Sequence, residues 1–417
     1  MPLRYVVRTH RPTASRPSDA RGPLAYATHV PAYLHSIAPV VPAPTVDQGS
    51  AQAAMEGIVG GDRRTDKLLR RIYPSSGIDT RHSVLEDFVP RGGETTPPAD
   101  EGRDAHGVRR LPPTQSGPGF FVTDAGDVRD PGTKERNARY RSEAGPLFVT
   151  AARDALEATP DVGPDDVTHV VTVSCTGFYA PGPDLDVVHG LGLRGGTERY
   201  HLGFMGCYAA FPALRMARAF VEADPDAVVL IAWAELCTLH LQHDRDPDAL
   251  VSASVFADGA VGAVVSGRTP TGPALRLDAF ADGLAPEGAD DMAWTIGDTG
   301  FEMTLSAYVP KIVGAKAHHA LGPLLAGRDV DLADVPRWAV HPGGRAILDK
   351  LEVGLDLPDG ALAASRGVLA RYGNMSSATV MFVLADLLRA PGPPGEPVIA
   401  MAFGPGLTVA SGLLTFA

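Results

Sequence analysis

Cysteine is scarce in this chain of 417 residues, which holds three: Cys175, Cys207 and Cys237. An odd, widely spaced set is neither a disulfide framework nor a zinc site, and it fits a reducing, cytoplasmic setting. Long hydrophobic runs are also missing. The longest, Ala227-Val-Val-Leu-Ile-Ala-Trp-Ala234, falls far short of the roughly 18 apolar residues that suggest a membrane span. Basic charge is in deficit, with a formal net charge of -12. That argues against nucleic acid as a main partner but leaves room for a small anionic ligand on a local basic cluster. There is no P-loop and no GxGxxG after a strand, so no nucleotide cofactor is expected. The pairs His240/His243 and His318/His319 lack a neighbouring cysteine or carboxylate to complete a tetrahedral set, so no metal is expected. Arg4, Arg8, Arg11 and Arg16 have no apolar stretch behind them, so the N-terminus does not read as a secretory signal.

What is present is a globular body, since 44% of the residues are hydrophobic, enough for one large core or two fused halves. Residues 1–30 are rich in Pro, Arg, Ser and Thr without periodicity and read as a poorly ordered tail. Residues 90–139 are dominated by Gly, Pro, Asp, Glu and Thr and read as a long loop or lid-like segment. After that the chain alternates. Strands are expected over 168–174, 227–234, 275–280 and 338–340, with a strand pair over 252–266 turning at Asp258-Gly259. Helices are expected over 209–222, 301–325 and 375–388, and a closing hairpin across Gly404-Pro-Gly406. Such alternation predicts an α/β sheet protein. An earlier helix carries Arg63, Arg64, Lys67, Arg70 and Arg71, a run that ordinarily marks a solvated face.

Cys207 is the most informative residue. It sits where the strand-like run to Gly203 gives way to an apolar-periodic helix, so unpaired N–H groups and the helix dipole favour its thiolate. A buried structural cysteine is the plainer reading, and two further segments weigh against it. Trp338-Ala-Val-His-Pro-Gly-Gly344 puts His341 at the end of a short apolar run. Arg371-Tyr-Gly-Asn-Met-Ser-Ser-Ala-Thr379 puts Asn374 in a glycine-preceded turn entering a helix. Junctions of this kind are where rigid scaffolds present chemistry.

With these three residues in order, the chain resembles the type III polyketide synthases, the condensing enzymes related to chalcone and stilbene synthases. The resemblance runs from about residue 35 to the end. It rests on Gly203-Phe-Met-Gly-Cys207, His341-Pro-Gly-Gly344, Gly373-Asn-Met-Ser-Ser377 and Phe403-Gly-Pro-Gly-Leu-Thr-Val409. It implies a homodimer with a thiolase fold, five layers αβαβα built from two βαβ-rich halves. Residues 31–270 would carry Cys207 and residues 271–417 His341 and Asn374, although no internal repeat is visible. It further implies that Cys207 is the acyl-carrying nucleophile and that His341 holds its thiolate by an ion pair. His341 and Asn374 together would drive malonyl decarboxylation. An asparagine cannot titrate, which suits it to donating hydrogen bonds to a developing enolate.

Other positions follow from the same resemblance. Phe256 matches a phenylalanine beside the nucleophile, although a core aromatic is an equal reading. The second gatekeeping phenylalanine has no equal here, and either Phe301 or Met303 takes its place. A methionine would make a softer, larger gate suited to long aliphatic starters. Cys175 aligns with a cavity-lining threonine of chalcone-type members, and bacterial members forming naphthalene products carry cysteine there. Ala180-Pro181 resembles a dimer-contact loop with a cis-proline. Trp294 falls where the family varies its cavity floor, Ser376 follows the catalytic asparagine, and Gly404, Pro405 and Gly406 shape the cavity. Arg71 aligns best with residues that grip coenzyme A phosphates. Two departures are Ala402 and Ala410, where the family's closing motif has glycine and glutamate.

The expectation is therefore a cytoplasmic acyltransferase of polyketide biosynthesis, a secondary-metabolism enzyme with no bound cofactor. It would load a fatty acyl starter from coenzyme A or a carrier protein, extend it with malonyl-CoA and release an alkylpyrone or alkylresorcinol. A ketoacyl synthase III-like single condensation and a non-catalytic acyl-binding dimer are the alternatives.

Overall fold

The structure, a computed structural model, describes residues 30–417 apart from 90–101, 116–118, 124, 307 and 329. The tail expected over 1–30, apart from Val30, and the start of the segment expected over 90–139 lie outside the described residues. β1 (Tyr33–Pro42) leads into an antiparallel ribbon of β2 (Thr45–Asp47) and β3 (Thr80–His82), connected through α1 (Gln48–Val59) and α2 (Arg63–Ser75). Asp62 caps α2 by accepting from the N–H groups of Arg64 and Thr65, which otherwise have no helical partner. Thr65, Leu69 and Tyr73 turn inward at four-residue spacing while Arg63, Arg64, Lys67, Arg70 and Arg71 are exposed. β4 (Arg109–Leu111) then pairs in parallel with the end of β1.

α3 (Thr133–Glu157) begins within the stretch expected as loop up to residue 139. Charge hid its inner face, because Arg136 is fully buried and donates to the carbonyls of Pro131, Leu239 and Leu241. Next come β5 (His169–Ser174), α4 (Pro183–Leu191), β6 (Glu198–Gly203), α5 (Ala210–Ala223), β7 (Val228–Leu236), α6 (Pro247–Val255) and β8 (Asp258–Ser266). β5, β7 and β8 are buried throughout, matching their near-continuous apolar sequences in a sheet covered on both faces. The later elements are β9 (Leu275–Leu284), β10 (Met292–Gly297), β11 (Gly300–Leu305), α7 (Val309–Leu325), β12 (Arg337–Val340) and α8 (Arg345–Gly354). α9 (Ala363–Tyr372), α10 (Thr379–Arg389), β13 (Pro397–Gly404) and β14 (Thr408–Phe416) complete the chain.

Among the described residues ten strands form one sheet in the order β12-β13-β14-β9-β1-β8-β7-β5-β6, with β4 beside β1. α3 packs on β1, β7 and β8, and α7, backed by α8, packs on β9 and β14. α5 and α10 lie between, touching strands from both ends of the sheet. The order of layers is thus helix, sheet, helix, sheet, helix. Among the described residues no helix is long and apolar enough to cross a membrane.

Two expected elements differ. The strand pair over 252–266 is not formed, because Asp246 and Pro247 start α6, which includes Ser252, and β8 is one unbroken strand from Asp258. Gly259 makes no turn there; the space of its missing side chain is filled by the Met375 sulfur. Asp258 is buried and accepts from Val84 N and from Thr238 N and Oγ1. The helix expected over 301–325 begins only at Val309. Residues 300–305 are β11, turned back on β10 at Gly300, whose φ of 105° favours glycine.

Candidate active site

Cys207 is delivered by a strained turn between β6 and α5. Phe204 has φ 57° and Gly206 φ 83°, and a Cβ on Gly206 would overlap the Pro405 ring. The half-buried thiol lies 3.5 Å from the Ser376 hydroxyl. His341 follows β12, anchored by its N–H to the Met401 carbonyl at 2.8 Å. Its ring is buried, and among the described residues neither nitrogen has a partner. Asn374 comes after Gly373, which has φ 70°. The Asn374 backbone donates to Val255 and accepts from Ala257. Its side-chain oxygen accepts from Ser376 N at 2.9 Å, while Nδ2 donates to the Gly343 carbonyl at 3.2 Å. This orientation leaves the second Nδ2 hydrogen for a ligand.

Cys207, His341 and Asn374 line one cavity with an empty volume of about 460 Å³, together with Phe256, Trp294, Met303, Ser376 and Pro405. The ion pair expected between Cys207 and His341 is not formed in this arrangement. Burial pushes the thiol up to about 12, opposed by the Ser376 hydroxyl, and burial pulls the imidazole down to about 3. A neutral imidazole offers one acceptor and one donor nitrogen.

A second, mostly apolar chamber with an empty volume of about 760 Å³ adjoins the first. Phe256, Trp294 and Met303 line both chambers and form the wall between them. Trp294 and Met303 are cross-strand partners in the β10–β11 hairpin, and the Trp294 ring meets Phe256 edge-on at 6.1 Å. Of the two residues considered for the second gate, Met303 is on the wall. Phe301 lines the second chamber alone, stacked on His240 at 4.1 Å.

Other expected residues fall around this pair of chambers. Cys175 stands behind the Cys207 turn, where its buried sulfur accepts from Gly206 N at 2.8 Å, and it lines neither chamber. Pro405 lines the first chamber; Gly404 makes room for the Tyr208 ring, and Gly406 has φ 70°. Arg71 is exposed and lines neither chamber. Ala180-Pro181 is cis and exposed, next to the exposed Phe178. Ala402 and Ala410 are buried partners across β13 and β14. The two departures are therefore one paired site, where a carboxylate would be enclosed by apolar neighbours.

Sequence reasoning missed Glu235, His240 and Ser252. Glu235 is a lone acid at the end of an apolar strand, which was a usable signal. It is buried and accepts from Cys175 N, Thr176 Oγ1 and the Ser377 hydroxyl, tying β7 to the turns behind Cys207 and Asn374. Burial raises its carboxyl to about 7 against those hydrogen bonds. His240 is held between the Thr176 carbonyl and Phe301 N and lines the second chamber.

Comparison with known proteins agrees with this geometry. Residues 126–270 match the N-terminal domain of chalcone and stilbene synthases, and residues 276–416 match the C-terminal domain. A bisdemethoxycurcumin synthase of Oryza sativa subsp. japonica is 35% identical over 67% of this chain and 73% of that protein. A 1,3,6,8-tetrahydroxynaphthalene synthase of Streptomyces griseus is 34% identical over 67% and 74% respectively. The crystal structure of PKS-I from the brown alga Ectocarpus siliculosus superposes with a TM-score of 0.81 at 28% identity, covering 94% of this chain and all of that one. The chain belongs to the chalcone and stilbene synthase family, the type III polyketide synthases, and is a condensing acyltransferase with their thiolase-like fold.

Proposed function

We propose that the protein loads a fatty acyl starter onto Cys207, extends it with two or three malonyl-CoA units, and releases an alkylpyrone or alkylresorcinol-type product. The observation that carries this reading is the apolar lining of the chamber beyond the Phe256, Trp294 and Met303 wall, which includes Ala51, Met55, Phe88 and Leu241. Such a lining suits an alkyl chain whose thioester remains beside Cys207.

Each step has a group suited to it. His341 Nε2 or Nδ1 accepts the Cys207 proton as substrate enters, giving a net-neutral thiolate–imidazolium pair that a low-dielectric site favours over either charge alone. The thiolate attacks the starter thioester carbonyl, the C–S bond to coenzyme A breaks, and the leaving thiolate takes the proton from His341. Malonyl-CoA then loses CO2. The electron pair released passes to its thioester oxygen, which receives the Asn374 Nδ2 and His341 N–H groups. The resulting carbanion attacks the acyl carbonyl on Cys207, a carbon–carbon bond forms, and the Cys207 thiolate departs. The β-ketoacyl-CoA can return to Cys207 for another round. With Asn374 in place of a titrating residue, no general base for water is supplied at that position, which suits condensation over hydrolysis.

The exposed Phe178 and the Ala180-Pro181 loop support a second copy of the chain packing there. Mass spectrometry of products from malonyl-CoA and acyl-CoA starters tests the whole reading. Malonyl-CoA alone is the control for a naphthalene-type product, which Cys175 and the Streptomyces griseus relative favour.

A further inference from the structure

Phe256 is the residue at which the chain leaves α6, and the carbonyls of that helix end lead to Arg81. The last carbonyls of a helix have no partner within it. Here each is met from a different element. The Ser252 carbonyl accepts from Phe256 N at 3.1 Å. The Ser254 carbonyl accepts from Gln48 Nε2 at 2.8 Å, and the Val255 carbonyl from Asn374 N at 2.9 Å. Those of Ala253 and Phe256 both accept from Arg81 Nη1, at 2.7 and 2.8 Å. One nitrogen with two hydrogens thus ties the last turn of α6 to Phe256.

Arg81 is the middle residue of β3 and is only 8% exposed. A cation so buried ordinarily has a carboxylate partner, and Arg81 has none among the described residues. The negative end of the α6 dipole stands in its place. The stem of Arg81 is placed as closely as its head. A Cβ on Gly373 would come within 3.0 Å of Arg81 Cγ and 3.1 Å of Ala257 Cβ, so the stem lies against the turn that delivers Asn374. Phe256 and Asn374 are themselves bridge partners, with Ala257 N donating to the Asn374 carbonyl at 2.9 Å. Arg81 therefore touches both sides of the joint between the chamber wall and the Asn374 turn.

We propose that Arg81 is the positioning residue of this joint, holding Phe256 on the wall and aiming the Asn374 side chain at the malonyl thioester oxygen as one unit. The inference rests on the role given to Asn374 in the function proposed above. Without the guanidinium, two buried carbonyls lose their donor and the helix end loses its cation. A displacement of Asn374 by about 1 Å is enough to cost on the order of 10²-fold in the step it serves. Transfer of the starter to Cys207 does not call on Asn374 in that mechanism and is spared.

The test measures the two steps separately. CO2 release from malonyl-CoA is one; the other is single-turnover acylation of Cys207, followed by intact-protein mass with the fastest-loading of acetyl-, hexanoyl- and dodecanoyl-CoA. In Arg81→Met, CO2 release should fall about 10²-fold and acylation by no more than about threefold. Arg81→Lys keeps the charge but not the paired geometry and should lose about tenfold in CO2 release alone, so the split is read even where Arg81→Met does not fold. In an Asn374→Ala background either substitution should change CO2 release by less than about twofold, because no aimed donor is left to position. Equal losses in the two steps, or an undiminished effect in the Asn374→Ala background, would make Arg81 a structural residue only and overturn the proposal. Full CO2 release by Asn374→Ala alone would instead remove the role of Asn374, and the positioning of it by Arg81 would fall with that role.

Discussion

The two chambers share a wall but are built differently. The reactive chamber is assembled from three turns, each holding one chemical group, and each turn contains or borders a glycine: Gly206 before Cys207, Gly343 after His341 and Gly373 before Asn374. Small changes there move reacting atoms. The second chamber takes its surface from α1, α2, β3, α6, the segment after β7 and the β10–β11 hairpin, and no one of them carries chemistry. On the proposed function, the first decides whether condensation occurs and the second decides on what.

Substitutions can separate these roles. The largest effect belongs to Cys207→Ala, expected to cut product formation by on the order of 10⁴ or more whatever the starter. Asn374→Ala, which removes an aimed donor, is expected to slow CO2 release from malonyl-CoA by about 10² to 10³; an unchanged rate would remove Asn374 from the reactive chamber's machinery. In the second chamber, Ala253→Trp fills space beside Phe256. Initial rates with dodecanoyl-CoA should fall on the order of 10²-fold, and those with butyryl-CoA by far less. Equal losses would mean that the chamber does not select chain length.

Two subtler predictions concern protons. Burial, opposed by the Ser376 hydroxyl, pushes the Cys207 thiol up to about 12. In His341→Ala its alkylation by iodoacetamide should therefore rise about tenfold per pH unit through pH 9, with no plateau. The wild-type curve should follow it in the free enzyme, because His341 takes the proton only as substrate enters. The smallest effect involves Glu235, whose folded-state carboxyl is raised to about 7 by burial. A raised carboxyl favours the folded state while protonated. Its contribution is thus complete below the ordinary carboxyl value near 4.5 and lost as pH rises through about 7, a few kcal/mol at most. Chemical denaturation between pH 4 and 8 should show this slope in the wild type and a flatter one in Glu235→Gln.

The same contrast explains what the sequence disclosed. Cys207, His341 and Asn374 stand at element ends beside glycine, so local pattern located them and the strands that deliver them. The second chamber had no such signature, because Tyr73, Arg81, His240 and Ser252 become neighbours only when distant elements pack. Phe301 to Leu305 reads as helix because its side chains continue the apolar pattern of α7, and only the backbone turn at Gly300 reveals the hairpin. Ser252 reads as strand from the small and β-branched residues that follow it, whereas Asp246 and Pro247 start α6 and carry it into the helix. Arg136 and Glu143 are buried charges satisfied across α3 and its neighbours, and they erase the amphipathic signal of that helix, the longest among the described residues.

The most direct test is the initial rate and product mass with malonyl-CoA and unbranched acyl-CoA starters from acetyl to palmitoyl. A path through both chambers predicts kcat/KM rising to an optimum at a long chain, with pyrone or resorcinol products that retain the entire starter. Turnover that is greatest with acetyl-CoA or malonyl-CoA alone, or that ignores chain length, would contradict it.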